Sequence, residues 1–426
     1  MRRFKTMKKL DIIGENYFGN WTSTRAGCRA VIIKDEKILM SYETKTGQWM
    51  LPGGGLEENE SDKECVIREV SEECGVLIRP SSCVLEIDEY YENFKWVNLY
   101  FFGEVTDETE MQLTDREIEV GMEPRWMPIS EIYRTFSGHQ EYDGTDEMRR
   151  GMYLREYMAL SELLVDRLPE TVREKVSGKD FSLDVTGKSG STVMLFDDYV
   201  LKVMPLGMEE EETVQMTRWL SGKVPVPEIL AFEQDEEKQY LLMSKVPGEM
   251  SCSKYYLEHP DEMVTILADT LKLLWSIDIS DCPRDCGLEQ ELQKAKRQVE
   301  EHLYDLEDAE PETFGEGGFK DPEELLQWLF DHKPSYEPVL SHGDYCLPNV
   351  FIRDGRLSGL IDLGNSGIAD KWEDIAMCYR SLKHNFDGTY GGKVYADFRP
   401  EVLFEKLGIE PDWEKIRYYI LLDELF

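Results

Sequence analysis

Two sets of residues have side-chain types and spacing that could do chemistry. The first is Glu69, Glu72 and Glu73, downstream of the run Gly53-Gly54-Gly55. On a helix, positions i, i+3 and i+4 share one face, and carboxylates crowded there repel by roughly a few tenths of a kcal/mol per exposed pair. A hard cation relieves that repulsion. Mg²⁺ takes oxygen ligands and leaves positions for water and phosphate. A solvated acidic face is the alternative reading of the triplet alone. The second set is Asp344, Asn349 and Asp362, in Ser341-His-Gly-Asp-Tyr-Cys-Leu-Pro-Asn349 and Ile361-Asp-Leu-Gly364. Asp344 can accept the proton of an attacking hydroxyl, while the Asn349 amide oxygen and the Asp362 carboxylate can hold Mg²⁺ against phosphates. His342, a lone histidine beside a strand end, is read as a hydrogen-bonded structural residue.

The elements that must position these groups are legible in outline. Ser61 followed by Glu64 is a capping box, and Gly75 is a helix stop, so a helix is expected between them. Val66, Ile67, Val70 and Cys74 form its core-facing stripe. Strands are expected at 26–33 and 37–42, joined through Asp35-Glu36, and at 84–91 and 95–105, with a closing helix at 146–164. The polar, turn-rich stretch 166–180 marks a boundary, giving domains 1–165 and 166–426. Strands at 192–196, 199–203 and 240–244, a helix at 209–220, a long helix at 261–277 and short strands at 349–353 and 357–361 then describe a small sheet lobe followed by a larger helical lobe.

Gly54, Glu60, Arg68, Glu69, Val70, Glu72, Glu73, Gly75 and Val76 match every fixed position of Gly-x5-Glu-x7-Arg-Glu-U-x-Glu-Glu-x-Gly-U, where U is aliphatic. This stretch, with the approach Trp49-Met-Leu-Pro-Gly-Gly, resembles the Nudix box. The resemblance covers about residues 20–165 and implies an α/β/α sandwich that cleaves pyrophosphate bonds of nucleoside diphosphate derivatives. It further implies that Glu69, Glu72 and Glu73 ligate Mg²⁺, that Arg68 orients Glu72, and that Glu60 supports the loop. A further carboxylate from outside the box would be Glu117 or Glu119.

The Asp344-x4-Asn349 spacing and the Asp362-Leu-Gly364 tripeptide are those of a kinase catalytic loop and its metal-binding aspartate. Together with Ala369-Asp-Lys-Trp-Glu-Asp-Ile-Ala376, Val224-Pro-Val-Pro-Glu-Ile-Leu230 and Pro411-Asp-Trp-Glu-Lys-Ile416, they resemble aminoglycoside 3'-phosphotransferases over about residues 168–426. The resemblance implies a bilobal, kinase-like α+β fold, with ATP as phosphate donor. Lys202 would grip the ATP phosphates, Ser189 would contact phosphate, and the backbone around Ser244 and Val246 would meet the base. The helix glutamate that pairs with the strand lysine falls at Thr213, and Glu212 could serve one residue away. Family carboxylates for ammonium groups are replaced by Leu347, His384 and Asn385, leaving Asp423, Glu424 and the Phe426 carboxylate for the substrate. Gly187-Lys-Ser189 is not a phosphate loop of the Walker type, because the glycine it requires at 182 is Ser182.

The balance of 48 Lys+Arg against 86 Asp+Glu gives a net charge of −38, which disfavours phosphate backbones and anionic membrane. No apolar run reaches the length of a membrane span, about 18 residues. Nine scattered cysteines without a Cys-x-x-Cys pair fit reduced thiols in the cytoplasm. The expectation is a two-domain enzyme acting on small molecules: an ATP- and Mg²⁺-dependent kinase of an aminoglycoside or related amino sugar, with a Mg²⁺-dependent pyrophosphohydrolase. The alternative makes the Nudix half the main activity, with the other half phosphorylating an unrelated metabolite or sensing a ligand.

Overall fold

The structure, a computed structural model, describes residues 7–14, 17–184, 192–206, 209–304, 309–315, 317–390, 393–395 and 397–426. The chain divides into two compact units: Met1–Asp197 with Leu201–Met204, and Asp198–Val200 with Pro205–Phe426. Ser189 lies outside the described residues. Among the described residues no helix is long and apolar enough to cross a membrane.

In the first unit the long strand Phe94–Glu108 organises a mixed sheet. It pairs antiparallel with Leu85–Tyr90 and Val76–Pro80, and parallel with Ser23–Val31. Ser23–Val31 also pairs with the glycine strand Gly53–Gly55. A second sheet is built from Met122–Pro128, Lys37–Glu43, Ile33–Lys34 and Gln48–Met50. Strand alternation sorts the faces of the first sheet. Cys28, Ala30 and Phe101 turn to one side and bury against Val66, Val70 and Cys74 of the Asp62–Cys74 helix. Both hydrogen bonds of the Ser61–Glu64 capping box are present, and Gly75 closes the helix at φ 66°.

Tyr100 and Asn98 turn to the opposite side, under the helix Glu147–Asp166. Polar groups, not apolar ones, join the layers there. Arg155 donates to Glu89 at 3.0 Å and to Glu156 at 2.8 Å, and the Tyr100 hydroxyl donates to Glu156 at 3.3 Å. Asn98 donates to Glu89 at 2.9 Å. All these groups are buried, Glu156 completely. Helix, sheet and helix thus make the three-layer sandwich.

The second unit is mainly helical. Its core gathers Leu267 and Leu271 of the Pro260–Trp275 helix, Ile375 and Leu382 of Lys371–Asp387, and Leu421 and Leu422 of Trp413–Asp423. Two short antiparallel pairs stand on this base: Pro338–Ser341 with Gly367–Asp370, and Val350–Arg353 with Arg356–Leu360. Their connections carry Asp344, Asn349 and Asp362.

Removing one partner of a buried, hydrogen-bonded ion pair costs about 3–5 kcal/mol. Arg155→Met is therefore expected to destabilise the first unit by about that much, read as a fall in the urea midpoint of the full chain. An unchanged midpoint would mean that the buried arginine contributes nothing net.

Candidate active sites

The glycine strand brings the backbone against the carboxylate helix. A Cβ on Gly54 would lie 2.4 Å from a Glu69 oxygen, so a side chain there would displace that carboxylate from its present place. Glu73, one turn further, is 6% exposed and accepts from the Ser41 hydroxyl at 2.7 Å and the Gly53 amide at 3.2 Å. Burial pushes its carboxyl up to about 8, with the charges of Glu69 and Glu117 adding to the rise. Glu69 is raised for the same first reason, and the charges of Glu72 and Glu117 add to it. Glu117 is thus the outside carboxylate whose field reaches the cluster. It sits at the start of the Asp115–Val120 helix, where it completes a second capping box with Thr114.

Arg68 runs through this acidity. It grips Glu60 with two hydrogen bonds of 2.8 and 3.0 Å, and reaches Glu69 at 2.8 Å and Glu72 at 3.1 Å. Among the described residues no three Asp, Glu, His or Cys side chains converge as a metal cage. The donor set suits a hard cation all the same: every group is an oxygen, burial and neighbouring carboxylates raise the proton affinity of Glu69 and Glu73, and Gly54 leaves space beside Glu69.

In the second unit the catalytic-loop sequence is held from below. Asp374, fully buried, accepts from the His342 amide at 2.8 Å and the Gly343 amide at 3.0 Å. Gly343 turns at φ 81°, and a Cβ there would meet the Asn365 carbonyl at 2.1 Å. Asn349 reaches back across the loop, its Nδ2 donating to the Asp344 carboxylate at 2.8 Å and to the Asp344 carbonyl at 3.0 Å. His342 is structural: Nδ1 accepts from the Asp344 amide at 3.3 Å while Nε2 bonds the Ile361 carbonyl at 3.0 Å. Burial raises the Asp344 carboxyl above the usual aspartate range, opposed by the neighbouring His342 and reinforced by Asp423 and Asp362. Asp362 holds a left-handed backbone, φ 60° and ψ 57°, a conformation that costs a non-glycine residue energy and clusters at functional sites.

The remaining expected residues fall as follows. Lys202 lies mid-strand in Tyr199–Pro205. Glu212, on the helix Glu209–Leu220, forms an ion pair with Arg284 at 2.5 Å, and Arg284 also donates to the Gly364 carbonyl. Thr213 packs so near Gly364 that an added Cβ would stand 3.1 Å from its hydroxyl. The Ser244 hydroxyl accepts from the Glu228 amide at 2.8 Å, and Val246 packs over Gly359. Asp423 is paired with Arg380. Glu424 is buried and caps the Glu310 amide at 3.0 Å through both oxygens, and burial lifts its carboxyl to about 7. Phe426 is 42% exposed.

Leu347 stands where the resemblance puts a family carboxylate. It is fully buried in the helical core, its amide donating to Ser381 and its carbonyl accepting from Ser251. Sequence reasoning did not single out Asp374, Arg284 or Glu310. Only Asp374 carries a local signal, an aspartate facing inward in the Glu373-Asp-Ile-Ala stretch. Glu310 is joined to His384 at 2.9 Å across 74 residues, which no spacing rule reveals.

Two family models match the chain: the NUDIX domain over residues 24–147 and the phosphotransferase enzyme family over residues 183–419. The aminoglycoside 3'-phosphotransferase of Enterococcus faecalis is 41% identical over 245 residues, covering 57% of this chain and 88% of that protein. The one from Staphylococcus aureus is 43% identical over 219 residues, covering 51% and 79%. Among solved structures, a type VIII aminoglycoside-3'-phosphotransferase superposes with a TM-score of 0.52 at 28% identity, covering 60% of this chain and 96% of that one. With the catalytic-loop geometry and the complete Nudix box in place, the chain belongs to the phosphotransferase enzyme family and carries a NUDIX domain ahead of its phosphotransferase part.

Proposed function

We propose that the C-terminal part transfers the terminal phosphoryl group of ATP to a hydroxyl of an aminoglycoside or related amino sugar, and that the Nudix part hydrolyses a nucleoside diphosphate derivative. The observation that carries the first half is the locked set Asp344–Asn349–Asp374, in a chain whose relatives at 41% and 43% identity are named aminoglycoside 3'-phosphotransferases. Asp344, half-buried and raised in proton affinity, is suited to take the proton of the attacking hydroxyl. Asn349 aligns that carboxylate. Lys202 and Ser189 would meet the phosphates, and backbone near Ser244 and Val246 the base.

Asn349 with Asp362, and Glu69, Glu72 and Glu73 in the Nudix part, would hold Mg²⁺. When bound, that ion supplies charge neutralisation at phosphate oxygens and, in the Nudix part, a more acidic water. Arg68 orients Glu69 and Glu72, and Ser41 with the Gly53 amide orients Glu73.

The acceptor side is less acidic than three free carboxylates would make it. Arg380 balances Asp423, and His384 shields Glu310. A polycationic acceptor is recognised by ammonium–carboxylate pairs, so its binding competes with these internal partners.

Asp344→Ala is expected to cut phosphotransfer by about 10²-fold or more with the thermal midpoint unchanged, since the general base is not a core side chain. A rate above about a hundredth of wild type would remove Asp344 from that role. Glu72→Gln should abolish hydrolysis across a panel of nucleoside diphosphate derivatives and leave phosphotransfer intact. Joint loss of both activities would sink the two-site reading. His384→Ala, which releases Glu310, should lower the KM for kanamycin-type acceptors by about three- to tenfold, the equivalent of one partly exposed ion pair. An unchanged KM would mean that Glu310 does not meet the acceptor.

A further inference from the structure

The first unit contains more than the Nudix sandwich. It also contains the strands Phe181–Asp184 and Thr192–Phe196, which pair antiparallel, and Leu201–Met204 of the strand that follows them, with Lys202 at its centre. The opening strands of the phosphotransferase part are therefore packed in one body with the Nudix part.

The joint is specific. Tyr133, on the Nudix helix Ile129–Ser137, is 1% exposed. Its ring stacks on Phe181 at 4.9 Å and 11°, and its hydroxyl donates to the Phe181 carbonyl at 3.2 Å while sharing a 2.9 Å bond with Ser161. Phe181 in turn packs on Phe196, its antiparallel partner, at 5.4 Å. The Tyr133 hydroxyl thus bonds a backbone carbonyl of the strand at the edge of its sheet. A second attachment lies at the other end of the pair. The Thr192 hydroxyl donates to Glu36 at 3.3 Å, in the Asp35-Glu36 turn of the Nudix part, where both residues hold positive φ. Two contacts at opposite ends of a strand pair fix its rotation as well as its position.

We infer that Tyr133, a residue of the Nudix part, is a positioning residue for the nucleotide site of the phosphotransferase part. It sets the register and tilt of the strand pair that leads to Lys202, and it touches neither nucleotide nor acceptor. The inference rests on the reading of Lys202 as a phosphate-gripping group. It is separate from the chemistry at Asp344, which stands in the other unit.

The test uses the full chain and ADP binding by calorimetry, a readout that needs no knowledge of the acceptor. Tyr133→Ala should weaken ADP binding and raise the KM for ATP by about three- to tenfold, the scale of one stacked ring pair with one hydrogen bond. The KM for the acceptor and the Nudix activity should stay within twofold. Tyr133→Phe, which keeps the stack, should recover most of the loss. Thr192→Val removes the second contact without touching the core and should act in the same direction, so the question stays decidable if Tyr133→Ala does not fold. ADP affinity unchanged in Thr192→Val and in a folded Tyr133→Ala, or a parallel loss of ADP affinity, acceptor affinity and Nudix activity, would overturn the inference. Failure of the wild-type chain to bind ADP would overturn the kinase reading itself, and this inference with it.

Discussion

The phosphotransferase site hangs on one carboxylate that water does not reach. Asp374 is fully buried, and burial of an ionised carboxylate is tolerated only when its oxygens are met by donors. Two of its donors are consecutive backbone amides, His342 and Gly343. Fixing both fixes the plane of the peptide between them, and Asp344 is the next residue. From there the bonds run outward: the Asp344 amide to His342, His342 to the Ile361 carbonyl, and Asn349 back to Asp344. Asp362 follows Ile361 directly, so its strained backbone is reached through the same chain of bonds. A loop braced this way has few alternative geometries, and a general base needs that more than it needs any one distance.

The same chain must manage 86 acidic side chains against 48 basic ones. It does so with arginines placed among several carboxylates at once. Arg155 serves Glu89 and Glu156, Arg68 serves Glu60, Glu69 and Glu72, and Arg284 joins Glu212 to a backbone carbonyl. A planar guanidinium with five donors can do this where a lysine cannot. Setting separates the outcomes. Around Arg155 water is excluded, and the arrangement is a fixed structural joint. Around Arg68, which keeps a quarter of its side-chain surface, the carboxylates remain open to a competing cation.

Much of this was legible in the sequence, and the reason differs by element. The expected ranges 192–196 and 209–220 coincide with the strand Thr192–Phe196 and the helix Glu209–Leu220, because apolar periodicity and flanking turn residues are local signals. The Nudix helix was readable from its cap, its stop and its stripe. The strand Phe181–Asp184 was not. It has four residues, follows a turn-rich stretch, and owes its conformation to Phe196 and to a tyrosine 48 positions upstream. The paired strands Pro338–Ser341 and Gly367–Asp370 are equally short and define each other. Residue types told which carboxylates could act, but not which were already engaged: the Arg380–Asp423 and His384–Glu310 pairs depend on long-range contacts. The burial of Leu347 was equally hidden, since motif alignment counts positions and does not see which side of a turn faces the core.

The covering of the Phe181 edge has a consequence for how such a chain can be divided. An edge strand whose carbonyls lose their partner, and whose phenylalanine loses a stacked ring, becomes a template for strands of other molecules. Severing the chain between its two recognisable parts would bare both at once, on the segment that begins the phosphotransferase. A phosphotransferase part released by proteolysis is therefore expected to pair through this edge with other molecules, a colloidal cost that precedes any question of catalysis.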